Sequence, residues 1–241
     1  MEIPILFEDD YLLVIDKPSG IAVNRSENEK NETVQDWFRL RQGYSGQADE
    51  KSDSDFIKRA GIVHRLDKET SGLLLIAKNE ETFSKLQEQF KNRTVKKSYF
   101  VLVHGRIEAK SFVINKPVGR LPWNRRKFGV LDVGREAQTQ IDIINIYQDK
   151  NKNLFTLSQA SPHTGRTHQI RIHLAHIGHS VVSDRLYAGH NVYKDDLKIC
   201  PRLFLHARKL QFVNPVNREI MQFESKLPGE LAAVIKLFDK I

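Results

Sequence analysis

The sequence predicts an α+β fold built on a largely antiparallel sheet. Two observations carry that expectation. Strand-like and helix-like segments are interspersed irregularly, without the strict alternation of a doubly wound fold. No repeat, low-complexity linker or clear domain break interrupts the 241 residues. A chain of that length can bury a real core as one domain or two fused halves, and residues 1–241 are expected to form one domain.

The elements follow in order. Tyr11 to Asp16 is a short apolar run ending at Lys17-Pro18-Ser19-Gly20, which reads as strand then turn. Asn24 to Asp55 is polar and contains Gly43, Ser45 and Gly46; it reads as a loop or helix-containing insertion around Val34, Trp37 and Phe38. Asn79 is placed to cap a helix through about Phe90, with Phe83, Leu86 and Phe90 on one face. Tyr99 to Val103 is strand-like, and Phe112 to Gly129 reads as a basic loop region with Pro117 and Pro122. Gln140 to Tyr147 and Leu154 to Leu157 read as strands. Thr164 is expected to cap a helix whose apolar positions are Ile170, Leu174 and Ile177, with Gly178 as its C-terminal glycine. Pro228 opens a final helix with Leu231, Val234, Ile235 and Phe238 inward.

Composition narrows the class. Apolar content is 40% and charged content 28%, as in an ordinary globular protein. No apolar run approaches membrane-spanning length, and the first residues lack a basic stretch followed by a hydrophobic one, so neither membrane nor leader is expected. The single Cys200 excludes an internal disulfide framework and fits a reducing, cytoplasmic compartment. Net charge is +8, which favours a polyanionic partner. The charge is segregated: from Gln89 to Leu131 eleven lysines and arginines face one acid, Glu108. Trp123 beside Arg125, Arg126 and Lys127 is the aromatic–cation pairing that stacks unpaired bases and grips phosphates. Such a run is also compatible with a merely solvated face.

The most informative stretch is Gly61-Ile-Val-His-Arg-Leu-Asp-Lys-Glu-Thr-Ser-Gly72. It reads as strand, tight loop, strand, with Asp67 in the loop between Arg65 and Lys68. A lone carboxylate among cations is biased toward its ionised form. That suits a nucleophile or base and does not suit a proton donor at neutral pH. Taken alone, Asp67 could equally cap the loop through the Thr70 or Ser71 backbone.

This segment resembles the catalytic motif of the RluA-type pseudouridine synthases. The resemblance extends to Asp16-Lys17-Pro18-Ser19-Gly20, to Lys97-Ser98-Tyr99, to Thr164-Gly165-Arg166-Thr167-His168-Gln169-Ile170-Arg171 and to Leu205-His206-Ala207. The five motifs come in the family's order and cover nearly the whole chain. One departure is Ser183 before Asp184, where the family commonly has Gly. The first motif comes almost at once, so no S4-like RNA-binding domain is expected. The resemblance implies a single catalytic domain on a long mixed sheet in two halves, with the site in a central cleft.

What the resemblance implies for chemistry is a cofactor-free, metal-free isomerisation of uridine in structured RNA, rRNA ahead of tRNA, by a monomer. Asp67 would act on the ribose, as a nucleophile at C1′ or by removing the C2′ proton. Tyr99 would pack on the base and take part in proton transfer at C5. Arg171 would pair with the catalytic aspartate, orienting it and keeping it charged. Arg65, beside the aspartate, is expected on physical grounds to fill the space left by the flipped base and to contact phosphates, a structural salt bridge being the alternative. His64, Thr70, Arg125, Arg126 and Lys127 are the expected RNA or substrate contacts; Arg166, His168 and Gln169 are expected to touch either RNA or the residues that do, and Leu205 to line the pocket or pack in the core.

Two other classes compete. Five histidines, at 163, 168, 173, 176 and 179, suggest a metal site. But His173 and His176 are three apart, and neither His-Glu-x-x-His nor Cys-x-x-Cys occurs. A catalytically silent RNA-binding factor, such as one acting in ribosome assembly, would share the charge. It would not require Asp67, Tyr99 and Arg171 together.

Overall fold

The computed structural model describes residues 1–27, 29–43 and 54–241, and within 124–130 leaves aside the side chains of Arg125 and Arg126. The elements are β1 (Ile5–Glu8), β2 (Leu12–Lys17), α1 (Val34–Arg41), α2 (Asp55–Arg59), β3 (Ser71–Ala77), α3 (Glu80–Lys91), β4 (Lys96–His104), β5 (Ser111–Asn115), β6 (Val118–Leu121), β7 (Asn124–Val130), β8 (Gln138–Gln148), β9 (Leu154–Pro162), α4 (Gln169–His176), α5 (His190–Asp196), β10 (Leu205–Val213), β11 (Ile220–Glu224), α6 (Gly229–Lys236) and β12 (Asp239–Lys240). The class is the α+β one expected. The Ser45 and Gly46 positions of the polar insertion lie outside the described residues.

The chain packs as two compact units. One comprises Met1–Lys96 and Lys209–Ser225, the other Lys97–Arg208 and Lys226–Ile241. In the first, the strand order is β1-β2-β3-β10, with β11 also on β10. In the second it is β10-β4-β9-β8-β12, with β5 also on β8, and β6 and β7 form a separate two-stranded sheet. Strand β10 passes from the second unit to the first at Arg208–Lys209. The pairs β1–β2, β2–β3, β4–β9, β8–β9, β5–β8 and β10–β11 are antiparallel.

The first unit's core joins Leu12 and Val14 of β2, Leu73 and Leu75 of β3, Phe83 and Leu86 of α3, and Leu210 and Phe212 of β10. Each such side chain contributes roughly 1.5–3 kcal/mol by leaving water. Helix α3 forms because its apolar residues fall on one face and because the Asn79 side chain accepts from the Thr82 N–H, as anticipated. The second unit's core joins Leu102, Phe155, Leu157, Val182 and Phe204 to Leu231, Val234 and Phe238 beneath α6, with Phe155 stacked on Phe238 at 4.6 Å.

Three local expectations are corrected. Phe112 to Gly129 is no loop: it holds β5 and the β6–β7 hairpin, whose turn exposes Trp123 at 76%. Val118 of that hairpin packs with Ile172 of α4, so the basic stretch has an apolar underside that the charge pattern hid. Thr164 does not cap α4; the cap position is His168, at φ 54°, and the helix starts five residues beyond Thr164. Ile62 and Val63 form no strand: Ile62 makes an isolated bridge to Ile76 after the short helix α2. Gly178, at φ +86°, does end the α4 segment. No helix among the described residues is long and apolar enough to cross a membrane.

Candidate active site

The loop that carries Asp67 is held from below by the first motif of the same unit. Gly61 enters it at φ +67°, pressed on β3 so closely that a Cβ would stand 2.0 Å from the Ala77 carbonyl oxygen. Only glycine fits there. Its carbonyl accepts from the Ala77 N–H at 2.9 Å, and its N–H donates to the Phe56 carbonyl at 3.0 Å. Lys17, at the end of β2, is fully buried. Its ammonium donates to the carbonyls of Pro18, Ile21 and Lys68 at 2.8, 2.9 and 3.2 Å. The Ser19 hydroxyl donates to the Glu69 carbonyl at 2.6 Å, and the Gly20 N–H to Lys68 at 2.8 Å. The Thr70 N–H closes the loop onto the Asp67 carbonyl at 3.1 Å. So the Thr70 backbone meets the Asp67 main chain.

Within this loop Asp67 is half-buried while Arg65 and Lys68 are exposed. Lys68 is not a free cation beside Asp67: its ammonium lies 2.7 Å from Glu29, whose carboxyl it holds below the usual range. Arg65 keeps the exposure that contact with a phosphate or a vacated stack requires. His64 anchors the loop. Its Nε2 accepts from the Leu75 N–H at 3.0 Å, which places its neutral-state proton on Nδ1, and its ring stacks on Phe90 at 4.7 Å. Thr70 is buried at 2% exposure, so its part here is the turn and not a surface contact.

The second unit gathers the other motifs. Tyr99, near the start of β4, is buried at 8% exposure and pairs with Ala160 of β9. Lys97, two residues earlier, brings its Nζ close to Gly165, where an added Cβ would lie 3.9 Å away. Burial pushes the Lys97 ammonium down to about 8. Leu205 opens β10 and is buried. Arg166 donates from Nε to the Glu136 carbonyl at 3.0 Å.

Gln169 takes the supporting one of its two expected roles. It is buried, its Oε1 accepts from the Thr164 hydroxyl and the Arg166 N–H, and its Nε2 donates to the Gln138 carbonyl and to the Thr139 hydroxyl oxygen. With both amide ends engaged, it ties the 164–168 loop to β8 and has nothing left for RNA. Lys127 donates from Nζ to the Leu186 carbonyl at 3.1 Å. The side chains of Arg125 and Arg126 lie outside the described part.

Arg171 is buried, at 1% exposure. Its Nε and Nη2 donate to Asp184 Oδ2 and Oδ1, both at 2.7 Å. Asp184 follows Ser183, which takes φ +58° where glycine is favoured. That conformation is held by the Ser183 N–H on Asp196 Oδ2 and the Ser183 hydroxyl on the Cys200 carbonyl, each at 2.7 Å. Sequence reasoning gave Asp184 and Lys17 no role. A buried partner thirteen residues from Arg171, across a turn, leaves no periodic signal.

His173 shows how the histidine cluster is used. Fully buried, it contacts the Lys116 carbonyl through Nε2 and the Thr139 hydroxyl through Nδ1, both at 2.9 Å. The carbonyl requires Nε2–H, and the hydroxyl then donates to Nδ1. Burial, followed by His176, pushes its pKa below the ordinary 6.5, although the carbonyl bond pulls the other way. The native state thus binds the proton less readily than the unfolded chain, so stability is lost as pH falls through 6.5. Urea unfolding from pH 7 to 5 is expected to weaken the wild type more than His173→Gln. Equal slopes would show that His173 carries no such coupling.

Residues 11–176 match the family model described as RNA pseudouridylate synthase. The chain is 38% identical over 235 residues to a ribosomal large subunit pseudouridine synthase D from Nitrosomonas europaea, covering 96% of this chain and 64% of that protein. It is 33% identical over 245 residues to a protein of the same name from Pseudomonas aeruginosa, covering 98% of this chain and 73% of that one. Among solved structures it resembles human RNA pseudouridylate synthase domain containing 1, with a TM-score of 0.76 at 23% identity, covering 100% of this chain and 89% of the other. That last likeness is one of fold.

Proposed function

Because this chain belongs to the RNA pseudouridylate synthase family, we propose that it converts uridine to pseudouridine in structured RNA, with Asp67 acting on the ribose. The observation that carries the reading is the Asp67 loop itself. A half-buried carboxylate sits on a turn whose carbonyls are held by a buried lysine, next to an exposed arginine. Rigid presentation of one reactive group on a loop is what a positioned nucleophile or base needs.

The reaction breaks N1–C1′, turns the uracil, and forms C5–C1′. The proton at C5 leaves to solvent and N1 gains one, so no electrons are exchanged and no donor is consumed. Asp67 either attacks C1′ and is later displaced by C5, or removes the C2′ proton to yield a glycal and returns it to C2′ as C5 bonds to C1′. Tyr99 supports the base and the C5 proton transfer, and Arg171 serves the carboxylate. The working form is a metal-free monomer in the cytoplasm.

Large-subunit rRNA is the favoured substrate, since both relatives named above carry that substrate in their names. The test is tritium release from C5-labelled uridine in bulk rRNA and in bulk tRNA, assayed separately, followed by position mapping. Release from rRNA alone supports the assignment. Release from tRNA alone replaces it.

The β6–β7 hairpin is the proposed RNA grip. Arg125 and Arg126 flank its turn and Trp123 is exposed there. Reversing Arg125 and Arg126 to Glu is expected to weaken RNA binding and to flatten the plot of log affinity against log salt by about 2. Lys127 is left intact because it holds Leu186. An unchanged slope would remove the hairpin from the RNA surface.

A further inference from the structure

We propose that Asp184 and Tyr187 are positioning residues that together fix both the edge and the face of the Arg171 guanidinium. The inference rests on the reading above, in which Arg171 serves the Asp67 carboxylate, and it adds what makes Arg171 able to do so.

An arginine has a long flexible stem and loses much rotamer freedom when one geometry is required. Here two contacts take that freedom away. Asp184 accepts from Nε and Nη2 in a bidentate fork at 2.7 Å each, which sets the plane and the direction of the group. The Tyr187 ring covers the guanidinium, with Cζ 5.3 Å from the ring centroid. The fork uses the Nε–Nη2 edge, so the Nη1 side is turned away from Asp184 in one fixed direction.

The holder is itself held. Asp184 Oδ1 also accepts the N–H groups of Leu186 and Tyr187, at 2.9 and 3.2 Å. The preceding Val182 is laced between Leu102 of β4 and Phe204 through two backbone bonds, at 2.9 and 3.0 Å. The Tyr187 hydroxyl meets His168 Nδ1 at 2.9 Å.

Stability alone gives a weak reason for this arrangement. A buried ion pair recovers little more than its desolvation cost, and apolar packing would tie α4 to the turn as well. What apolar packing cannot do is aim a cation.

The experiment measures single-turnover rate on saturating rRNA, RNA affinity, and exchange of the Arg171 Nε–H signal by nitrogen-15 NMR. The proteins are wild type, Asp184→Asn, Tyr187→Leu, Tyr187→Phe and Asp67→Asn. Asp184→Asn is expected to lower the rate about 100-fold and Tyr187→Leu about 10-fold, with RNA affinity within about 3-fold of wild type. Tyr187→Phe, which keeps the ring, is expected to recover most of the Tyr187→Leu loss. The Nε–H should exchange faster in Asp184→Asn and Tyr187→Leu. Should Asp184→Asn fail to fold, the two Tyr187 variants carry the test. Wild-type rates in the Asp184 and Tyr187 variants while Asp67→Asn is inactive would overturn this inference and spare the proposed function. Rate and RNA affinity falling together would also overturn it. If the wild type itself does not react, the proposed function fails instead, and Nε–H exchange as slow as wild type in the variants would still overturn the positioning claim.

Discussion

Lys17→Met is expected to cost about 3 kcal/mol of unfolding free energy and to reduce turnover about 100-fold or more. The lysine is wholly buried and donates to three carbonyls, Pro18, Ile21 and Lys68. Methionine fills a similar volume but leaves those oxygens without that donor. A buried polar group left unsatisfied costs roughly 1–3 kcal/mol. The Lys68 carbonyl belongs to the residue immediately after Asp67, so the loss is felt where the carboxylate is presented. The remaining ties, from Ser19 to Glu69 and from Gly20 to Lys68, hold only part of the loop. Urea denaturation and a turnover assay on the same preparation check both numbers. A folded Lys17→Met protein with wild-type turnover would show that the first motif does not position the loop.

Asp67→Asn is expected to have the largest effect on chemistry and the smallest on structure. The amide matches the carboxylate in shape, and the Asp67 turn is closed through its main-chain carbonyl, which the substitution keeps. Stability should therefore stay within about 1 kcal/mol. The amide can neither attack C1′ nor take the C2′ proton, so the rate should fall about 10⁴-fold or more. RNA affinity should survive within a few-fold, because the cations that neutralise phosphate are untouched. A parallel loss of binding would make Asp67 a structural residue of the loop.

How much of this was legible in the sequence depends on the range of the interaction. Local signals read well. Asn79 and the apolar face of α3, Gly178 after α4 and Pro228 before α6 are short-range patterns, and each appears where its spacing placed it. Signals that depend on partners far along the chain did not read. Nothing in the Lys17 neighbourhood shows that its ammonium will meet a carbonyl fifty-one residues away. Thr164 looked like a cap, yet its hydroxyl is taken by Gln169 and the helix begins later. The Phe112–Gly129 stretch looked like loop because its charges mask the alternation of a hairpin packed on α4 by Val118. Composition does not mark the division into two units, because β10 runs from one into the other; only the family resemblance implied two halves.

The site divides the same way. The motifs placed Asp67 on a loop and Tyr99 on a strand, and both stand there. Lys68, next to Asp67 in the sequence, is paired with Glu29, which local sequence does not reveal. Residue type left Gln169 open between RNA contact and support, and its four hydrogen bonds make it an internal tie. Asp184 carried one faint sign, the Ser183 before it at a position that takes a left-handed backbone.

The most direct test of the central claim is tritium release from C5-labelled rRNA by wild type and Asp67→Asn, with RNA binding measured on the same samples and no added metal. Release by the wild type, with none above background from an Asp67→Asn protein that binds the same RNA, is the predicted result. Release by Asp67→Asn at a rate near that of the wild type would contradict it.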